Sequence, residues 1–414
     1  MTCSNPETNL KTDPRVDSRS STKSASPTGE THDSIPGPLT DVETDVELVE
    51  TSARLKTLAQ SWLALEFIGI DTEFVRTDTY FSRPGLVQIN AAGAVVLVDP
   101  IAIDDLAPLG EIVACQSIVK IIHSAAEDMS LLKQITGRVP APVFDTQIAA
   151  SYCGLGASPS YGALVAELVG EQVDKSQTRS DWCKRPLTDE QRRYAAEDVR
   201  YLLTLYQMLS DRLAQANKST WASEDFEALA RDDSPPSYAR IRGAGRLSRR
   251  QLALLASLDT WREGEAVIAD RPRGHIITDL ALINITTAAP TTRELLAALE
   301  GVSPKFVRRH SDAVIELVRD HGKLSNDHPL PLPVKVRSEH RAAVDTLREF
   351  VAAQATELKL PPEVIASRRH IETAVIAATH AQSIDTLRIG QGWRRTLLNP
   401  TLNRLGLIGQ PTAQ

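Results

Sequence analysis

The chain has 414 residues, of which 42% are hydrophobic and 24% charged, as in a globular protein with two or three domains. No stretch approaches the roughly 18 consecutive apolar residues of a membrane-spanning helix, so we expect no membrane partner. The four cysteines, Cys3, Cys115, Cys153 and Cys183, show neither CxxC nor metal-ligand spacing, which argues against a disulfide framework and favours a cytoplasmic protein.

The net charge of −7 is distributed unevenly along the chain. Residues 1–50 carry −6 and residues 51–237 carry −8, whereas residues 238–324 and 335–414 carry +4 each. An acidic front therefore precedes a basic rear, and only the rear has the charge of a polyanion-binding surface.

The first 45 residues are rich in Ser, Thr, Pro and Asp and poor in large apolar side chains. Such a segment buries too little surface to offset the entropy of ordering it. We therefore predict a disordered acidic tail over residues 1–45.

Apolar runs predict strands after this tail. The run Leu63–Ile70 leads into Asp71-Thr72-Glu73 and is typical of a buried strand. Residues 86–90 and 94–99 flank a short turn that contains glycine, which predicts a hairpin, and residues 119–123 form a further strand candidate.

Helical patterns follow these strands at residues 127–136, 145–153 and 160–169. The clearest helix begins at Thr188, where Thr188 and Gln191 fit a capping box and apolar positions recur as far as Tyr206. Strands followed by helices predict an α/β domain, a mixed sheet flanked by helices, over residues 46–215.

Beyond residue 245 the patterns are helical. Pro290, Gly301 and Pro304 separate the helices of one unit, and three prolines make residues 325–336 an extended connector. We predict a linker at 216–241, an all-α module at 242–323, a proline-rich linker at 324–336 and a second all-α module at 337–408.

Several carboxylates in the α/β domain form a candidate metal site. Asp71 and Glu73 point to one face of a strand, where they repel each other unless a cation lies between them. Tyr194 and Asp198 share a helix face, and Asp198 lies among apolar positions where an unpaired acid is unfavourable. Asp128 stands in the first turn of a helix, where favourable interaction with the helix dipole is an alternative explanation.

Four carboxylates can hold two divalent ions about 3.5–4 Å apart, the arrangement that catalyses in-line phosphodiester hydrolysis. Because carboxylates offer hard oxygen ligands, we expect Mg²⁺ or Mn²⁺ rather than zinc. Tyr194 would orient the attacking water or help take its proton. Asp145 is a further acid, but its position before Thr146 at a helix start favours a cap.

These motifs together resemble ribonuclease D, a DEDDy exonuclease family. The matching segments are Asp71–Arg76, His123–Asp128, Phe144–Ala150, Asp174–Leu187 and Tyr194–Asp198. The resemblance implies a ribonuclease H-like fold, two divalent ions and hydrolysis from the RNA 3′ end. It also implies that Asp71, Glu73, Asp128 and Asp198 ligate metal and that Tyr194 positions water.

Further residues are candidates for RNA binding. Arg179, Trp182 and Arg185 could contact phosphate or stack on a base, with structural packing as an equal alternative. The first helical module resembles the helicase-and-RNase-D C-terminal (HRDC) domain through Leu258–Glu263 and Ile276–Asp279; residues 360–372 and Gly392-Trp393-Arg394 resemble a divergent second copy. Arg242, Arg246, Arg249 and Arg250 form a basic cluster that would bind phosphates.

We therefore predict a monomeric 3′→5′ exoribonuclease that trims tRNA precursors or other structured RNA with 3′ tails. One alternative keeps the chemistry but acts on single-stranded DNA, because discrimination depends on 2′-hydroxyl contacts. Another is a non-catalytic RNA-binding adaptor, which the presence of all four acids disfavours.

Overall fold

The computed structural model describes residues 46–173, 177, 180–231, 236–323, 332 and 335–408. The predicted tail over residues 1–45 and most of the proline-rich linker lie outside this part of the chain, as does Arg179. Within the described residues, no helix combines the length and the apolar character needed to span a membrane.

A mixed sheet forms the centre of the front half, as predicted. Within the described residues its six strands are β1 (Glu47–Val49), β2 (Phe67–Val75), β3 (Arg83–Ala91), β4 (Ala94–Val98), β5 (Val119–Ile122) and β6 (Val143–Asp145). Their order across the sheet is β1-β4-β3-β2-β5-β6. β3 runs antiparallel to both β2 and β4, which confirms the hairpin, and β2, β5 and β6 are parallel.

The strand that carries the acids differs from its predicted limits. It begins at Phe67, because helix α1 (Ser52–Trp62) and a turn occupy the preceding residues and leave Leu63 exposed. It continues through Asp71 and Glu73 to Val75, so both acids lie within the strand rather than at its end.

Helices cover both faces of the sheet. Helices α1, α2 (Ala107–Ala114) and α3 (Ala126–Thr136) contribute to one apolar core. The opposite face carries α4 (Thr146–Tyr152), α5 (Tyr161–Leu164) with a following π-helical turn, α6 (Asp189–Arg200) and α7 (Leu202–Gln215). Thr188 and Gln191 form the predicted capping box of α6.

The long helix predicted from Thr188 is divided into α6 and α7. The side chain of Asn90 donates to the carbonyls of Val199 and Arg200, at 3.0 and 3.1 Å, so the end of α6 is tied to strand β3. The first turn of α7 begins immediately afterwards, at Leu202.

The segment predicted as the linker 216–241 contains helix α8 (Ser219–Ala228). Ala222 is fully buried, and Trp221 and Phe226 pack against the core on the α4–α7 side of the sheet. The apolar face of α8 therefore belongs to the folded front domain, and only the residues after it can connect that domain to the next.

Residues 236–323, the first helical module, have a core of their own. Their helices are α9 (Arg249–Ala269), α10 (Arg273–Ile276), α11 (Asp279–Ala288), α12 (Arg293–Ala297) and α13 (Pro304–Gly322). Leu255, Leu258, Leu282 and Val314 are fully buried in this core, whose members all lie between Ile241 and Val318.

Residues 335–408, the second helical module, share the core of the front domain. Their helices are α14 (Arg341–Leu358), α15 (Pro362–Ala366), α16 (Arg368–Thr379) and α17 (Gly392–Arg404). Leu347 and Leu398 belong to the same apolar cluster as Leu213 on α7. The module therefore completes the α4–α7 side of the front domain.

Candidate active site

The structure brings three of the four predicted carboxylates together. Asp71 and Glu73 project from the same face of β2 toward α6, which carries Asp198. One ligand oxygen from each of these residues can be chosen so that all lie within 4.8 Å of one another. This spacing is compatible with a shared divalent cation.

Asp128 reaches this region from the other side of the sheet. It lies in the first turn of α3, is 7% exposed, and accepts a hydrogen bond of 2.5 Å from the hydroxyl of Thr72. Its negative charge raises the pKa of Asp71, although Asp128 is not one of the three residues grouped above. The hydroxyl of Thr72 thus fixes the one acid whose position could not be derived from strand or helix periodicity.

The acids are costly to ionise together. Burial, reinforced by the charges of Asp128, Asp198 and Glu73, raises the pKa of Asp71 well above its usual range. Burial likewise raises the pKa of Glu73 to about 8 and the pKa values of Asp128 and Asp198 to about 7. A hard divalent cation would relieve both the repulsion and the lost hydration, so the donor set fits such an ion.

Tyr194 lies one helical turn before Asp198, as predicted. The Tyr194 side chain hydrogen-bonds Asp198 and lowers the pKa of that acid, opposing the larger effect of burial. Its ring is 9% exposed and lies 5.9 Å from the indole of Trp182. The phenol is therefore held beside the carboxylates, and its role in positioning water stays a prediction.

Two supporting residues were not predicted. Thr72 lies between two candidate ligands, and strand alternation directs its side chain to the opposite face, where Asp128 arrives. The Tyr161 hydroxyl donates to the carbonyl of Glu197 at 2.9 Å and accepts from the amide of Tyr201 at 3.1 Å. It therefore braces the end of α6 next to Asp198, and no local sequence signal marks this long-range contact.

Asp145 is a cap, as predicted. Its carboxylate accepts from the amides of Gln147 and Ile148 at the start of α4 and from those of Ser124 and Ala125 before α3. The same acid thus joins two helix starts and has no need of a metal ion.

The base-stacking role suggested for Trp182 needs correction in favour of the structural-packing alternative, whereas phosphate contact by Arg185 stays a prediction. Trp182 is 1% exposed, and a side chain on Gly85 would place its Cβ 2.6 Å from the Trp182 Cβ, so the indole is packed inside and inaccessible to a base. Arg185 pairs with Asp99 at 2.7 Å and donates to the carbonyl of Gly85 at 2.6 Å. Both residues hold β3 in place.

The basic cluster of the first helical module lies at the surface. Arg242, Arg246 and Arg250 are exposed, and Arg249 is partly exposed at the start of α9. These side chains are accessible to phosphate, and RNA binding by them stays a prediction.

Comparisons with known proteins agree with this arrangement. The 3′-5′ exonuclease family model matches residues 46–214, and the HRDC domain model matches residues 251–318 within the first helical module. Ribonuclease D of Pseudomonas paraeruginosa is 33% identical over 367 residues, which span 86% of this chain and 96% of that protein.

Solved structures extend the similarity to the fold. The crystal structure of Escherichia coli RNase D, described as an exoribonuclease involved in structured RNA processing, has a TM-score of 0.78 at 30% identity and covers 87% of this chain and 98% of that one. The catalytic core of RRP6 from Trypanosoma brucei has a TM-score of 0.51 at 25% identity, covering 69% and 82%.

Proposed function

Because the chain belongs to the ribonuclease D family and is a 3′→5′ exoribonuclease, we propose that it trims 3′ tails from structured RNA, including tRNA precursors, and releases 5′-mononucleotides. The proposal rests on the cluster of carboxylates formed by Asp71, Glu73 and Asp198, with Asp128 nearby. The description of the E. coli relative as a processor of structured RNA supports the choice of substrate.

The family depends on divalent metal, and we assign two ions, Mg²⁺ or Mn²⁺, to Asp71, Glu73, Asp128 and Asp198. When bound, two such ions supply activation of water and charge neutralisation at the leaving oxygen. The protein supplies rigid ligands. β2 fixes two of them, Thr72 holds the third, and Tyr161 braces the helix that bears the fourth.

Tyr194 takes the role of orienting the attacking water. Its hydrogen bond to Asp198 points the phenol at the carboxylates, and packing against Trp182 limits the rotation of its ring. Trp182 thus contributes to the reaction by positioning Tyr194 rather than by touching RNA.

We assign RNA holding to the basic rear, in particular to Arg242, Arg246, Arg249 and Arg250. We propose a division into an exonuclease domain at 46–215, extended by helix α8, an HRDC domain at 242–323 and a second HRDC-like module at 337–408. We also propose a monomer, and a cytoplasmic location, which the three free cysteines among the described residues support, since unpaired thiols suit a reducing compartment.

The test is trimming of a tRNA with a 3′ extension, with and without Mg²⁺ or Mn²⁺, beside matched RNA and DNA oligomers. Asp198→Asn and Asp128→Asn should each reduce the rate about a thousandfold, or about 4 kcal/mol in activation free energy, while RNA binding survives. Glu190→Gln is the matched control, because Glu190 is an exposed acid on the same helix α6. Normal trimming by either Asn variant would refute the assigned centre, and faster cleavage of DNA would refute the assigned substrate.

A further inference from the structure

We infer that a groove next to the carboxylates binds the single-stranded RNA just upstream of the scissile phosphate, and that the first helical module holds one wall of this groove. The inference deepens the proposed function and rests on it for the direction of the RNA. We call this feature the upstream groove. It is lined by residues that include Phe74, Arg76, Tyr80, Phe81, Glu127 and Lys133.

The upstream groove lies beside the active site along the chain. Its volume is about 620 Å³, and two of its lining residues, Phe74 and Glu127, are the immediate neighbours of Glu73 and Asp128. Lys133 lies five residues beyond Asp128 on α3, which is about 7.5 Å along the helix axis. The groove therefore adjoins the segments that carry Glu73 and Asp128 and follows α3, and this is where we place the RNA strand that leaves the scissile phosphate.

The lining has the chemistry of a single-strand binding site. Arg76 and Lys133 are exposed, and neither has an ion-pair partner within the described residues. Phe81 is 43% exposed, and its ring stands at 82° to that of Tyr80 with 5.0 Å between the centroids. Cations that meet phosphates and aromatic rings that stack on bases are the two components of sequence-independent recognition of single strands. Glu127 adds one negative charge beside Asp128, where bound divalent cations would offset it.

The wall that carries Tyr80 and Phe81 is held from two sides. The Asp270 carboxylate, at the end of α9, accepts from the backbone amides of Tyr80 and Phe81 at 3.1 Å each. The Tyr80 hydroxyl donates to Glu263, and Glu263 pairs with Arg273 at 3.1 Å. On the other side Gln134 of α3 donates to the carbonyl of Ser82 at 2.7 Å. The first helical module thereby forms part of the substrate cleft, in addition to presenting its own basic surface.

The experiment compares RNA oligomers of 2 and 12 nucleotides, because a dinucleotide ends at the two nucleosides that flank the scissile bond. Arg76→Gln combined with Lys133→Gln should raise KM for the 12-mer about tenfold and lower the slope of log affinity against log salt by about 1.4. Phe81→Ala should raise the same KM about tenfold through lost stacking. For the dinucleotide, kcat and KM should stay within twofold of the wild-type values.

Lys56→Gln combined with Arg212→Gln is the control, since both residues are exposed cations on other helices, α1 and α7. Binding of a labelled 12-mer is measured as well, so the groove is tested even if no RNA is trimmed. A wild-type protein that trims no oligomer would contradict the proposed function. Unchanged 12-mer affinity and salt slope in the Arg76 and Lys133 double variant, or an equal loss for the dinucleotide, would overturn the groove assignment.

Discussion

The two helical modules at the rear are alike in charge and helical pattern and differ in how they are built into the protein. Both are all-helical, both carry +4 in their charged segments, and we predicted the same role for both. The first module has a separate core and reaches the groove wall through polar contacts of Asp270 and Glu263. The second module shares the core of the front domain. Two modules of equal charge and helix content can therefore differ in whether they have a hydrophobic core of their own.

Buried arginines show the same difference in detail. Arg262 pairs with Asp259 and Asp279 at 2.7 Å each, and all three residues lie within the first module. Arg394 of α17 instead pairs with Asp225 of α8 at 2.7 and 2.8 Å.

Further contacts surround this second ion pair. Arg394 also donates to the hydroxyl of Tyr152 on α4, at 3.1 Å. Trp393 stacks on Trp221 with 4.6 Å between the ring centroids. Gly392 has φ of 50°, a conformation that favours glycine, and the Glu224 carboxylate of α8 accepts from the amide of the next residue, Trp393, at 3.2 Å. This network joins the second module to the front domain.

The largest effect should follow Arg394→Ala. The variant leaves the buried carboxylate of Asp225 without its main partner, and breaking such a pair costs about 3–5 kcal/mol. We expect the urea midpoint of the main transition to fall and the nuclease to lose activity at lower temperature. Arg395→Ala is the control, because the pair of Arg395 with Asp385 is largely exposed. Equal stability of the two variants would show that the second module does not support the nuclease.

Arg262→Ala should lower the free energy of unfolding by less than Arg394→Ala, and the destabilisation should be confined to the first module. The variant leaves the carboxylate of Asp259, whose side chain is 1% exposed, without its ion pair, and we expect this to cost about 3 kcal/mol of stability. We expect weaker binding of a 12-mer with dinucleotide hydrolysis retained. Arg293→Ala, which breaks an exposed pair in the same module, is the control. If dinucleotide hydrolysis also fails, the first module is not an independent unit.

Metal should stabilise the shared core rather than the first module. The carboxyl pKa values, about 8 for Glu73 and about 7 for Asp128 and Asp198, lie above the unfolded value of about 4. Their contribution to stability is therefore full below about pH 4 and is lost as pH rises through 7 to 8. For the metal-free protein we expect Tm to fall by about 5 °C between pH 5 and pH 8, and Mn²⁺ to restore it.

The variant that checks this origin is Asp198→Asn, which removes one of the buried acids. It should flatten the pH dependence of Tm in the metal-free protein and weaken the response to Mn²⁺. Differential scanning calorimetry with Arg262→Ala as background would show whether the metal-sensitive transition belongs to the shared core. A metal-induced shift confined to the first module would contradict this assignment.

The parts of the site that follow from local periodicity were predictable. Alternation along β2 places Asp71 and Glu73 together, and helical spacing places Tyr194 beside Asp198. Asp128 required the resemblance to ribonuclease D, because its place depends on how α3 packs across the sheet. The same limit explains Trp182, whose burial depends on the backbone of Gly85 nearly one hundred residues earlier.

The fold shows a similar limit at the rear. The helices of the second module could be predicted from their apolar spacing, but the partner of those apolar faces could not. Leu347 has the same pattern whether it packs within its own module or against the front domain. Helix α8 was missed because its apolar residues are few, and its burial depends on α17 and α4.

The smallest effect should come from the polar attachment of the first module. Asp270 has φ of 44°, a conformation that asparagine and glycine both tolerate. Asp270→Asn keeps an acceptor for the amides of Tyr80 and Phe81, whereas Asp270→Gly removes it. Both variants should change the free energy of unfolding by less than about 1 kcal/mol. Only the glycine variant should raise KM for the 12-mer, by about threefold, because the wall of the upstream groove is loosened without unfolding either domain. A matching rise in the asparagine variant would mean that the charge of Asp270 matters rather than its hydrogen bonds. The difference between the first module, attached by polar contacts, and the second module would then rest on their core contacts alone.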